Sequence, residues 1–115
     1  KNMIKIYHNS RCRKSREALD LLKSNELDFD VVEYLKEKLT KNQIQALINK
    51  LGLKPLELVR KNEAIWKENF KNKVLTNNEI VEILSENPTL IERPIIELDN
   101  KAVIGRPPEN IFNLI

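Results

Sequence analysis

The chain of 115 residues carries 20 Lys plus Arg against 17 Asp plus Glu, a net charge of +3, and is 41% hydrophobic and 32% charged. Such a chain is expected to form one domain over residues 1–115, an ordinary soluble globular protein with core enough to need neither disulfide nor structural metal. One cysteine and one histidine leave neither an internal disulfide nor a zinc-type ligand set.

No apolar run approaches the roughly 20 residues that span a bilayer, and no signal-peptide pattern precedes Met3-Ile4-Lys5-Ile6-Tyr7. The expectation is a cytoplasmic protein without a membrane partner. Lysines interspersed with Glu and Asp argue against a nucleic-acid footprint.

Lys1 to Tyr7 reads as a first strand, closed by the turn formers Asn9-Ser10. Arg13 to about Asn25 then places Ala18, Leu19 and Leu22 on one helical face, and Phe29 to Tyr34 reads as a second strand. Strand, helix and strand within 35 residues predict a right-handed βαβ unit with parallel strands. Cys12 falls beyond the carboxyl end of the first strand, where sites in such sheets gather. It also falls at a helix N-terminus with Arg11, Arg13 and Arg16 around it, three of the chain's six arginines. Both features lower a thiol pKa from about 8.5 and favour the nucleophilic thiolate. The polar run Arg13-Lys14-Ser15-Arg16 argues against a buried thiol.

The middle of the chain is helical. Thr40-Lys41-Asn42-Gln43 is a capping box followed by Ile44, Leu47, Ile48 and Leu51, with a stop at Gly52. Thr76-Asn77-Asn78-Glu79 repeats the device ahead of Ile80, Ile83 and Leu84, and Pro88 lies beyond its end. Short helices are expected over Pro55 to Val59 and Glu63 to Phe70, the latter turning Trp66 and Phe70 to the core. With no linker composition around it, this block over about residues 40–87 reads as an insertion rather than a second domain. Strand character returns at Pro94 to Leu98 and Lys101 to Ile104, joined by a tight turn at Asp99-Asn100, and Gly105-Arg106-Pro107-Pro108 opens a final helix.

The order βαβ, helical insertion, ββα is the α/β thioredoxin-like arrangement, with a mixed four-stranded sheet expected. The motifs that resemble a known family are Ile6-Tyr7-His8-Asn9, Cys12-x-x-Ser15-Arg16, Leu58-Val59-Arg60-Lys61-Asn62, Asn87-Pro88 with Ile91-Glu92-Arg93-Pro94-Ile95, and Gly105-Arg106-Pro107-Pro108-Glu109. Along essentially its whole length the chain resembles the arsenate reductase (ArsC), Spx and YffB family, closest to the glutaredoxin-linked arsenate reductases.

The resemblance implies that Cys12 is the nucleophile that attacks arsenate and that Arg60, Arg93 and Arg106 hold the oxyanion. Guanidinium forks suit a phosphate-like oxyanion because they bind two oxygens at once. Ser15 and Arg16 are placed to tune the thiolate, Ser15 through its hydroxyl. His8 matches the family histidine, with a tuning, oxyanion-binding or merely strand-closing role, and Pro94 matches a proline that is cis in the family. With one cysteine the chain has no resolving thiol, so the implied reductants are glutathione or another low-molecular-weight thiol as co-substrate and glutaredoxin as partner. No tightly bound cofactor and no metal are implied, and a monomer is expected. Arg13-Lys14 stands where typical members have Gly-Thr, which leaves two alternatives: an Spx-type regulator that binds RNA polymerase, and a glutathione-dependent thiol reductase of another substrate.

Overall fold

A computed structural model describes Met3–Ile115. Lys1 and Asn2, the expected start of the first strand, lie outside the described residues. The chain forms two compact units, one made of the chain up to Glu37 together with Arg93–Ile115, the other of Lys38–Glu92.

The first unit carries β1 (Ile4–Tyr7), α1 (Arg13–Ser24), β2 (Phe29–Val32), β3 (Ile95–Leu98) and β4 (Lys101–Ile104). The sheet order is β2-β1-β3-β4. β1 runs parallel to β2, with Ile4 opposite Phe29, and antiparallel to β3, with Ile4 opposite Leu98. β3 and β4 are antiparallel, so the sheet is mixed. The alternation of β1 sends Ile4 and Ile6 to one face, where they meet Ala18 and Leu22 of α1 together with Ile96 and Ile111. Burial of this apolar set fixes the register, since a one-residue slip would turn it outward.

Two local features shape the end of this unit. Gly105 is in close quarters: a Cβ there would lie 2.7 Å from Ile96 Cδ1, 3.0 Å from Pro94 Cγ and 3.4 Å from Ala18 Cβ. The final element is a 3-10 helix over Pro108–Asn113, not the expected α-helix through Ile115. Pro107 and Pro108 contribute no backbone donors to its first turn. The chain instead closes tighter turns, with Asn110 N donating to Pro107 O at 3.0 Å and Leu114 N to Ile111 O at 2.9 Å.

The second unit contains α2 (Lys41–Leu51), α3 (Ala64–Asn69) and α4 (Asn77–Glu86), with 3-10 turns at Pro55–Leu58 and Pro88–Leu90. Both capping boxes form. Gln43 N donates to Thr40 Oγ1 at 3.1 Å while Thr40 N donates to Gln43 Oε1 at 2.8 Å, and the matching bonds between Thr76 and Glu79 measure 3.2 and 2.8 Å. Those bonds hold the Glu79 carboxyl below its ordinary pKa, the Thr76 backbone group contributing most. Gly52 ends α2 at a φ of 68°, the left-handed conformation that glycine takes at least cost. Ile44, Leu47 and Ile48 of α2 and Ile80, Val81, Ile83 and Leu84 of α4 are buried where the two helices pack. Trp66 is buried and lies against Phe70, the ring centroids 5.7 Å apart and the planes tilted by 37°. The unit continues past residue 87 because Arg60 N donates to Leu90 O at 2.7 Å and Glu92 N to Leu58 O at 2.8 Å, pairing Val59 with Ile91.

Candidate active site

Cys12 is the N-cap residue of α1, in extended conformation at φ −95° and ψ 121°. The loop that delivers it is tied down locally: Cys12 N donates to Asn9 O at 2.9 Å and Arg11 N to the Asn9 side-chain oxygen at 3.0 Å. Arg16 N donates to Cys12 O at 3.0 Å, the first bond of the helix, so the amides of the first turn remain available. Those of Ser15 and Lys14 face the sulfur. A helix N-terminus of this kind is an anion site, and here the anion is the thiolate.

Arg106 and Arg93 approach the same sulfur. Arg106 Nη2 donates to Cys12 Sγ at 3.7 Å, and its Nε donates to the Arg93 carbonyl oxygen at 2.7 Å. Arg93 hydrogen-bonds the sulfur through its side chain. Burial pushes the Cys12 thiol up, but the Ser15 amide, the Arg93 charge, the Lys14 amide and the Arg93 hydrogen bond outweigh it, and the net pKa lies below the ordinary value. The Arg93–Pro94 and Arg106–Pro107 peptide bonds are both cis. Gly105 N donates to Pro94 O at 2.8 Å, so the segments that bear the two arginines are joined immediately beside them.

The site differs from the sequence reading in three respects. Cys12 is only 8% exposed despite the charged run that follows it. Arg13, Lys14 and Arg16 project into solvent, whereas Ser15 turns fully inward. The Ser15 hydroxyl does not reach the thiolate. It lies 2.6 Å from His8 Nδ1 and accepts from Asn9 N at 3.0 Å, and it is the Ser15 amide that faces the sulfur. Two of the three flanking arginines are spent elsewhere, Arg13 pairing with Glu17 at 3.4 Å and Arg16 donating from Nη1 to Ser10 O at 2.9 Å. Among the flanking arginines, Arg16 acts on His8.

His8 is 6% exposed and its backbone N donates to Val32 O at 2.9 Å, closing the strand end. Burial holds its pKa below the ordinary value. Arg16 and Lys23 add to the depression, while Glu33 and a Ser15 backbone group oppose it. The imidazole is therefore neutral at pH 7 and shares one proton with Ser15 along their short hydrogen bond. One residue earlier, Tyr7 donates to Glu97 Oε1 at 2.7 Å, and burial with this carboxylate raises the phenol pKa well beyond its ordinary value. This tie between β1 and β3 leaves no mark in the sequence, where Glu97 looks like any strand carboxylate.

Arg60 belongs to the second unit. There it pairs with Glu63 Oε2 at 3.2 Å and donates from Nη1 to Thr89 O at 3.4 Å. Among the described residues no group of three His, Cys, Asp or Glu could hold a metal ion, and no helix is long and apolar enough to cross a membrane. A cleft of about 880 Å³ lies at the opposite end of the sheet between Ile4, Leu27, Leu98 and Leu114, with no thiol in its lining. A roomy cleft therefore does not locate the chemistry, and the thiol with its cations marks the site.

The ArsC family model matches residues 7–114 of the chain. The chain is 39% identical over 110 residues to the arsenate reductase of Neisseria meningitidis, covering 94% of each chain. It is 40% identical over 114 residues to the uncharacterized protein YfgD of Escherichia coli, covering 97% of this chain and 96% of that one. Among solved structures, the arsenate reductase from Vibrio cholerae matches with a TM-score of 0.94 at 34% identity, covering 98% of both chains.

Proposed function

The chain belongs to the ArsC family, with the thioredoxin-like fold of its arsenate reductases, and from that premise we propose that it reduces arsenate to arsenite through the single nucleophile Cys12. The observation that carries this reading is the convergence of Arg93, Arg106 and the first-turn amides of α1 on the Cys12 sulfur. Such donors serve the thiolate before reaction and an arsenic-bound oxyanion during it, since both place negative charge at one spot. By resemblance Arg60 has the same work as Arg93 and Arg106.

In the first step the Cys12 thiolate forms an S–As bond and an oxygen of arsenate leaves as water after taking up protons. A glutathione thiolate then attacks the Cys12 sulfur. The S–As bond breaks with its electron pair going to arsenic, which passes from As(V) to As(III) and departs as arsenite. The Cys12–glutathione disulfide that remains is opened by a glutaredoxin thiolate, which restores Cys12. The two electrons thus come from external thiols, as a chain with one cysteine requires. No tightly bound cofactor enters the cycle, and the enzyme acts as a cytoplasmic monomer.

The test is NADPH oxidation by the protein with arsenate, glutathione, glutaredoxin and glutathione reductase, run beside Cys12→Ser. Turnover that needs both arsenate and Cys12 is the expected result. Folded protein with a reactive Cys12 and no arsenate-dependent turnover would overturn the assignment in favour of another thiol substrate.

A further inference from the structure

A cleft of about 240 Å³ opens beside the Cys12 loop. It is lined by His8, Asn9, Ser10 and Arg11 after β1 and by Glu33, Leu35 and Lys36 after β2. It lies past the carboxyl ends of β1 and β2, and the residue after Arg11 is the nucleophile, about 3.8 Å further along the chain trace. The donors that converge on the sulfur come from α1, Arg93 and Arg106, none of which lines this cleft. It is therefore a separate compartment next to the reacting atom.

Its charges form a pattern. Glu33 Oε1 and Lys36 Nζ stand 3.4 Å apart with side chains 43% and 75% exposed, one anion and one cation open to solvent. Arg11, also exposed, adds a second cation to the lining. A ligand that matches an adjacent anion and cation is one with an ammonium and a carboxylate on the same carbon, the head group of an α-amino acid. A cleft below the roughly 300 Å³ typical of small-molecule sites takes such a head group rather than a whole tripeptide.

We infer that this cleft binds the zwitterionic α-amino-acid end of the reducing thiol, the γ-glutamyl head of glutathione, with Glu33 on its ammonium and Lys36 on its carboxylate. The inference rests on the glutathione reading above and adds to it where the co-substrate is held. A head group docked there leaves the cysteinyl thiol of the tripeptide to extend past Asn9, Ser10 and Arg11 toward Cys12, the next residue in the chain. The oxyanion donors are left free for arsenate, so both substrates can be present at once.

The experiment uses no arsenate and no glutaredoxin. The Cys12 thiolate attacks one sulfur of glutathione disulfide, the old S–S bond breaks, a mixed disulfide forms and one glutathione thiolate leaves. The rate is compared with that for dithiodipropionate, an anionic disulfide without the amino-acid head, in the wild type, Lys36→Gln and Glu33→Gln. The ratio of the two rates cancels any change in Cys12 itself. The expected result is that both variants lower the glutathione to dithiodipropionate ratio by about two- to fivefold, the size of an exposed charge contact.

The Glu33→Gln arm is the sharper one, because loss of a negative charge would speed both anionic disulfides equally if the cleft acted only through its general field. That outcome, or an unchanged ratio in either variant, overturns the subsite. Lack of arsenate turnover by a protein whose ratio responds as expected would instead count against the arsenate assignment alone.

Discussion

Arg93 aims Arg106 at the nucleophile: the Arg93 carbonyl oxygen accepts from Arg106 Nε at 2.7 Å, which leaves Arg106 Nη2 facing the Cys12 sulfur at 3.7 Å. One guanidinium thus uses part of its donor fork to fix its own direction and the rest to meet the reacting group. A lysine has no rigid fork with which to do both. Arg106→Lys should therefore behave more like Arg106→Ala than a retained charge suggests. Both are expected to lower kcat/KM for arsenate by about 10²-fold, the cost of removing one preorganised donor. Wild-type rates in the lysine variant would mean that charge alone suffices.

The thiolate itself can be read without any substrate. Arg93 stabilises the charged form of Cys12 by both its field and its hydrogen bond, so Arg93→Ala removes two of the opposing effects while burial remains. The midpoint of iodoacetamide alkylation against pH should move up, toward the ordinary thiol range. Arg13→Ala should leave it in place, since Arg13 is engaged by Glu17. Equal shifts in both variants would refute the assignment of roles.

Much of the fold was legible because its signals are local. Thr40 with Gln43 and Thr76 with Glu79 lie three residues apart, and each box needs nothing but its own turn. Cys12 at the start of α1 was equally plain. What escaped was direction. Whether Ser15 sends its hydroxyl or its amide to Cys12 depends on where the end of β1 places His8, and only the folded sheet decides that. The same holds for the meeting of Cys12 with Arg93 and Arg106, which come from far along the chain. Pro107-Pro108 signalled a helix start but did not disclose that the turn would wind as 3-10.

Gly105 should tolerate no side chain. An added Cβ meets the Pro94 ring at 3.0 Å and Ile96 Cδ1 at 2.7 Å, and Ile96 is fully buried. Overpacking of this kind costs about 1–3 kcal/mol. Gly105→Ala is expected to lower the urea midpoint accordingly and to reduce arsenate turnover further than the lost folded fraction explains, because it shifts the backbone that carries Arg106. A variant with wild-type stability and turnover would show that the neighbourhood yields freely.

Ser15→Ala separates stability from nucleophile tuning. It deletes the buried oxygen that serves both His8 Nδ1 and Asn9 N, and buried groups left without partners cost about 1–3 kcal/mol. The amide that faces the sulfur survives the substitution. The expected outcome is a clear loss of stability with a smaller change in the Cys12 alkylation midpoint than Arg93→Ala produces. The reverse order would return the hydroxyl to the role the sequence suggested for it.

The depressed pKa of His8 makes stability depend on pH in a defined direction. Its folded value lies below the unfolded value of about 6.5, with burial the leading cause. Between the two values the unfolded chain binds more protons than the folded one, so stability rises with pH across that interval. The contribution is fully present above about 6.5 and is lost as pH falls through the folded value, when an imidazolium must be accommodated beside Arg16 in a buried site. Urea midpoints at pH 7.5 and pH 5.5 should therefore diverge in the wild type and draw together in His8→Gln, whose amide does not titrate. Equal divergence in the two proteins would assign the acid sensitivity to carboxylates instead.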